Sequence, residues 1–242
     1  MKRIKIVLAL VASLFLMTGC VKYNTTMEVK KDKSMDFTII YAMDTSSLGD
    51  LQEDDSSSET LTAEQKAEFE KKGYKIEEYS EGNYKGVKLV YSVKNIDDVS
   101  KEGDFNLTLS DMIKEDSDKN TFFAIKKDFL KNTYKANYNF EVVDKNDEDY
   151  DPSFDATYKQ MLPSMDLKFV VTLPDKAKSN NATSVNGNIY TWELNKDLST
   201  NINFEFEMYN MTNIILVAGI AIFLFVIVLV IIILLATKKK KA

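Results

Sequence analysis

Apolar and polar residues alternate through most of the chain, the period expected of β-strands with one wet face. Val21, Tyr23, Met27 and Val29 alternate with Lys22, Asn24, Glu28 and Lys30. After a turn at Lys31-Asp32-Lys33-Ser34, Phe37, Ile39, Tyr41 and Met43 give a returning strand. The same pattern predicts strands over 74–79 and 84–93, turned at Gly82-Asn83, and a short one at Phe105, Leu107 and Leu109. Residues 121–126 and 133–143 read as another hairpin, in which Tyr134, Ala136, Tyr138, Phe140 and Val142 share a face. Leu167 to Leu173 is a further strand. Tyr190, Trp192 and Leu194, then Ile202 to Met208, are expected to form a last hairpin.

Helical signals interrupt this rhythm. Thr62 and Gln65 have capping-box spacing, and Gly73 after Lys71 and Lys72 is a left-handed stop, with Leu61 and Phe69 facing the core. A short helix is expected at Asp44–Leu48. Asp151 is placed to cap a helix with Pro152 at its first position, carrying Phe154, Tyr158 and Met161 or Leu162 until Pro163. One-sided strands without a βαβ rhythm predict an α+β fold, a mainly antiparallel sheet with two or three helices.

Twice the alternation gives way to an unbroken apolar run. Ile214 to Ala236 holds 23 residues without a charge, followed by Lys238 to Lys241. As a helix it reaches about 35 Å at ~1.5 Å per residue, enough for a ~30 Å hydrocarbon core. The lysines place the tail in the cytoplasm by the positive-inside rule, and everything before Ile214 outside. Gly219 alone makes no small-residue dimer face.

The other run, Ile6 to Met17, follows Lys2, Arg3 and Lys5 and precedes Thr18-Gly19-Cys20. This is the layout of a cleaved secretory signal. The small residues before Cys20 resemble a bacterial lipobox, in which the cysteine is acylated (palmitate or similar) and the chain is cut before it. Met17 stands where that motif usually has Leu. An uncleaved signal anchor is the alternative. The expected organisation is a signal over 1–19, an extracytoplasmic domain over 20–212, a membrane helix over 213–237 and a basic tail over 238–242. On this plan the first strand leaves the membrane and the last returns to it.

Composition narrows the chemistry. Cys20 is the only cysteine, so no disulfide forms within the chain, and there is no histidine. Histidine triads, histidine metal sites and histidine pH switches are excluded. Seven of the 31 basic residues lie in the leader and tail, leaving 24 against 37 acidic ones in the segment between. A domain so acidic is a poor partner for nucleic acid or bare anionic lipid.

Candidate sites are few. Asp144, Asn146, Glu148 and Asp155 have a faint calcium-loop rhythm, but Asp149 replaces the turn glycine, and a solvated acidic loop is the simpler reading. Glu77, Glu78 and Glu81 are close in sequence, which alone makes no glycosidase. Ser110-Asp111 has no basic partner at motif spacing, and Asn181-Ala182-Thr183 is a glycosylation sequon. Trp192 is most simply core. No metal, cofactor or catalytic residue is expected.

One combination is familiar. It joins the lipobox to Gly73-Tyr74-Lys75, Tyr84-Lys85-Gly86-Val87, Phe169 to Pro174, Asn180-Asn181-Ala182, Asn188 to Leu194 with Trp192, and the membrane helix. This resembles the LppM-type lipoproteins of bacteria. The resemblance implies a lipid-anchored envelope domain with a C-terminal span and a role in binding lipids or lipoglycans. It implies no catalytic residues.

The exterior part also holds 11 of the 14 Phe and all 12 Tyr. Tyr134, Tyr138 and Phe140 on one strand, with Phe154 and Tyr158 on a helix that covers it, would line a groove for one lipid or lipoglycan tail. The plainer outcomes are a filled core at this place and an interaction subunit of another membrane protein.

Overall fold

The computed structural model describes residues 21–47, 61–97, 99, 123–142 and 151–239. Its order is β1 (Val21–Val29), β2 (Met35–Asp44), α1 (Ala63–Lys71), β3 (Lys75–Glu81), β4 (Tyr84–Val93), β5 (Phe123–Lys127), β6 (Lys131–Glu141), α2 (Asp155–Met161), β7 (Asp166–Thr172), β8 (Ser179–Asn180), β9 (Ser184–Asn186), β10 (Ile189–Glu193), β11 (Ser199–Tyr209) and α3 (Met211–Lys239). The fold is α+β. The strand expected at 105–109 and the acidic loop at 144–150 lie outside the described residues.

The strands form two sheets. One runs β3-β4-β2-β1-β7-β10-β9 and the other β5-β6-β11-β8. Every pairing is antiparallel except β1 with β7. Alternation puts Tyr23, Met27, Phe37, Ile39, Leu89, Phe169 and Trp192 on the inner face of the first sheet. Tyr134, Ala136, Phe140, Ile202, Phe204 and Phe206 occupy that of the second. The faces meet through Trp192 and Phe204, whose rings are 5.6 Å apart, and through Tyr23 and Phe140 at 6.1 Å. Phe123, Tyr134 and Phe206 complete an aromatic cluster, with Tyr134 and Phe206 stacked at 5.0 Å.

The hairpins β1–β2, β3–β4 and β5–β6 form as the pattern predicts. The hairpin expected between Trp192 and Ile202 does not. β10 lies between β7 and β9 in the first sheet, and β11 between β6 and β8 in the second. Alternation decides which face of a strand is buried, not which strand lies beside it. Both strands bury their apolar faces in the same core, from opposite sides.

Local chemistry sets the punctuation. The capping box is complete: Thr62 N–H donates to Gln65 Oε1 at 2.9 Å, and Gln65 N–H to Thr62 Oγ1 at 3.2 Å. Gly73 ends α1 at a φ of +87°, and Phe69 packs edge-on to Tyr74, which lies 5.1 Å from Tyr91 of β4. The expected helix at Asp44 is one 3-10 turn, Thr45–Ser47, with the Asp44 carboxylate accepting from Ser46. Gly86 sits opposite Ala42 where β4 passes so close to β2 that an added Cβ would lie 2.6 Å from the Ala42 Cα.

The long strands give the domain two poles. β6 and β11 pair from Lys131–Tyr209 at one end to Glu141–Ser199 at the other, about 34 Å at ~3.4 Å per residue. α3 leaves from the first pole. Lys159 of α2 pairs with Asp197 at 3.2 Å, and Val142 N–H donates to Leu198 O, so α2 belongs to the second pole. The contact of Tyr23 with Phe140 puts the start of β1 at this second pole too. The turn after β1 reaches the first pole, where Lys33 pairs with Asp97 and Asp97 accepts from the Tyr134 hydroxyl at 2.6 Å. The first strand therefore runs towards the pole from which α3 emerges, not away from it. Inter-sheet packing imposes this direction, and periodicity carries no trace of it.

Acid should unfold the domain. Asp36 is held below the usual carboxylate range by hydrogen bonds from Lys30 and Ser92. At Asp97 burial pushes upward, but hydrogen bonds from Tyr134 and Lys33 outweigh it. A group with a lowered folded pKa stabilises above its unfolded value, ~4, and loses that contribution as pH falls through the folded value. With no histidine in the chain, the melting temperature is expected to be flat from about pH 8 to 5.5 and to drop below about pH 4. A drop between pH 7 and 6 would contradict this account.

Candidate functional site

The five aromatic residues expected to line a groove separate into two groups. Tyr134 is fully buried between Phe123 and Phe206, and Phe140 is buried against Tyr23. Tyr138, opposite Ile202, is partly buried and packs on the edge of the same core. These three side chains are part of the interior between the sheets.

Phe154 and Tyr158 stand elsewhere. Asp151 accepts from Ser153 N–H at 2.9 Å, and Pro152 opens a 3-10 turn, Pro152–Phe154, that runs into α2. No residue of that turn or of α2 is buried. Phe154 is 54% exposed and Tyr158 40%. Four residues apart in helical geometry, they lie on one side. The helix does not close over β6. It offers an aromatic face to the outside, anchored by Leu162 just after it.

The carboxylates expected in sequence are occupied by lysines. Glu77 accepts from Lys75 and Lys88, and Glu81 from Lys22 and Tyr79. These hydrogen bonds hold both below the ordinary glutamate range. A general acid needs the opposite shift. Glu78 points to the other face of β3. Lys22 in turn is pushed upward: burial opposes this, but its hydrogen bonds to Glu81 and Tyr79 prevail. Among the described residues no three acidic or cysteine side chains cluster as metal ligands. Asp155 is described, while Asp144, Asn146, Glu148, Asp149, Ser110, Asp111 and Cys20 lie outside the described residues.

Trp192 is core, and its indole N–H explains a neighbouring motif. It donates to Asn181 Oδ1 at 2.8 Å. The same oxygen accepts from Asn203 N–H at 2.8 Å, and Asn181 Nδ2 donates to Asn201 O at 2.9 Å. Asn181 sits where the chain leaves β8 in one sheet for β9 in the other, and it ties the two together. The amide nitrogen that a sugar would need at this sequon is already engaged.

The pole at the root of α3 was not singled out by the sequence. The β5–β6 turn carries Phe129, 59% exposed, and Leu130, 47% exposed. Its carbonyls meet the start of the helix: Leu130 O accepts from Asn210 N–H at 2.8 Å, and Phe129 O from Asn213 Nδ2 at 2.7 Å. Lys131 Nζ lies 4.8 Å from the centre of the exposed Tyr209 ring. The missed signal is an apolar pair at a hairpin tip, where polar turn residues are the rule. α3 itself is long and apolar enough to cross a membrane over Met211–Ile233, and its residues from Ile215 to Ile233 are exposed.

No curated protein sequence matches the chain significantly. A solved structure similar to it is the NMR structure of the folded domain of the LppM protein of Mycobacterium tuberculosis, at 10% identity and a TM-score of 0.47, over 81% of this chain and 95% of that one. The family model of the LppM domain matches residues 22–208, from β1 to the penultimate residue of β11. The chain belongs to the LppM domain family.

Proposed function

We propose that this chain is a membrane-anchored, non-catalytic binding module, with its LppM domain outside the cytoplasmic membrane and an envelope lipid or lipoglycan as its ligand. The observation that carries the reading is the exposed aromatic face of Phe154 and Tyr158 on a helix in which no residue is buried. Aromatic faces suit both acyl chains and sugar rings, and Tyr158 adds a hydroxyl for a head group. The lysine-paired Glu77 and Glu81, shifted away from acid–base use, favour binding over catalysis. Acylation of Cys20 and a cytoplasmic Lys238–Lys241 tail belong to the same proposal, as does the membrane helix Ile214–Ala236.

A second reading has its own support. Tyr134 and Phe140 are consumed by the core, so a ligand would find a surface and not a groove between sheet and helix. A surface helix with two aromatic anchors also suits a protein partner.

Native mass spectrometry of the full chain, released from its own membranes in nanodiscs, tests the choice. The wild type is expected to carry a lipid or lipoglycan adduct, and the double variant Phe154→Ala, Tyr158→Ala to lose it without a change in melting temperature. A bare wild type, with a photo-crosslinker at position 158 joined to another protein, would transfer the function to the interaction subunit.

A further inference from the structure

We infer that the β5–β6 turn is an interfacial foot: Phe129 and Leu130 enter the boundary between head groups and acyl chains of the bilayer that α3 crosses. The inference rests on the membrane reading of α3 and goes beyond it, because a span alone does not say which part of the domain meets the bilayer. Isolated exposed apolar residues are ordinary on a protein surface. This pair differs in its place and in its backbone. Phe129 O is bonded to Asn213, the last residue before the apolar run begins at Ile214. The tip is therefore level with the point where the helix enters hydrocarbon.

A polar backbone is what normally keeps a turn out of lipid. Here both tip carbonyls already accept from Asn210 and Asn213, and Asp128 N–H donates to Lys131 O at 3.1 Å. The one acidic side chain of the turn, Asp128, is paired with Lys126 at 3.1 Å. What remains to face the bilayer is the apolar pair, flanked in sequence by Lys126, Lys127 and Lys131, of which Lys131 is paired with Glu207 at 3.1 Å and lies over the Tyr209 ring. Aromatic rings and lysines at the edge of an apolar anchor are the residues that interfaces select.

Phe129→Trp in the full chain, reconstituted in phosphatidylethanolamine–phosphatidylglycerol vesicles, reads the depth of the tip. Trp192 is the only native tryptophan and is 1% exposed, so the wild type supplies the background. Lipid brominated near the top of the acyl chain is expected to quench the added indole, with a blue-shifted emission, and to leave the wild type unchanged. Leu130→Trp should behave alike and guards against a local effect of one substitution. Flotation with the vesicles after alkaline carbonate reports on α3 independently. A protein that floats while both added indoles stay unquenched, with water-like emission, overturns the foot alone. A protein that does not float overturns the membrane reading and the foot with it.

Discussion

Phe204→Ala is expected to cost roughly 3–5 kcal/mol of unfolding free energy, the range for truncating a buried phenylalanine. Phe204 is fully buried and is one of the rings through which the two sheets touch. It lies 5.6 Å from Trp192, 6.1 Å from Phe123 and 6.2 Å from Phe206. These neighbours come from both sheets and are themselves packed, so they have little room to collapse into the void. Domains of this size are stable by only about 5–15 kcal/mol. The variant should unfold at much lower urea, with Trp192 fluorescence as the probe. A loss below about 1 kcal/mol would mean that the aromatic cluster relaxes around the deletion, against the usual behaviour of packed interiors.

Gly86→Ala is the second large effect, at roughly 3 kcal/mol, the upper part of the usual range for overpacking. The obstacle is backbone, since the added methyl would meet Tyr41 O and lie 2.6 Å from the Ala42 Cα, so no side-chain rotation relieves it. β4 would have to move off β2 inside the seven-stranded sheet, where β4 and β2 are the second and third strands from one edge. Gly82 provides the control. Its φ is +59° but nothing lies near an added Cβ, so Gly82→Ala should cost only about 1 kcal/mol of backbone strain. Equal melting temperatures for the two variants would show that β2 and β4 separate without difficulty, and would remove close approach as the reason for this glycine.

Much of the architecture could be read from local chemistry. The Thr62–Gln65 box, the Gly73 stop, the Asp151 cap and three hairpins depend on residues near one another in sequence, and each formed as read. The partners of β10 and β11 depend on contacts between distant strands. Tyr190, Trp192 and Leu194 alternate as cleanly for a β7 neighbour as for a β11 neighbour. β8 and β9, of two and three residues, are too short to show a period. The candidate groove failed to assemble for the same reason. Tyr134 and Phe154 each announce an apolar face, but nothing in either stretch says that the first is taken up by Phe206 of another strand and that the second stays exposed. The family resemblance fared better, because its glycine, asparagine and tryptophan motifs are tied to non-local geometry. Gly86 serves the β2–β4 approach, and Asn181 and Trp192 the junction of the sheets.

The direction of β1 has a mechanical consequence. Val21 lies at the pole remote from α3, and Cys20 is bonded directly to it. If Cys20 is acylated as proposed, its neighbour Val21 is separated from the root of the membrane helix by about 34 Å of strand. A molecule moored at one end can stand upright, with Phe154 and Tyr158 held out towards the rest of the envelope. A molecule moored at both ends in one bilayer must recline, bringing that aromatic pair down to the lipid surface. Acylation would then act as a posture control, deciding whether the pair samples the envelope or the bilayer's own head groups.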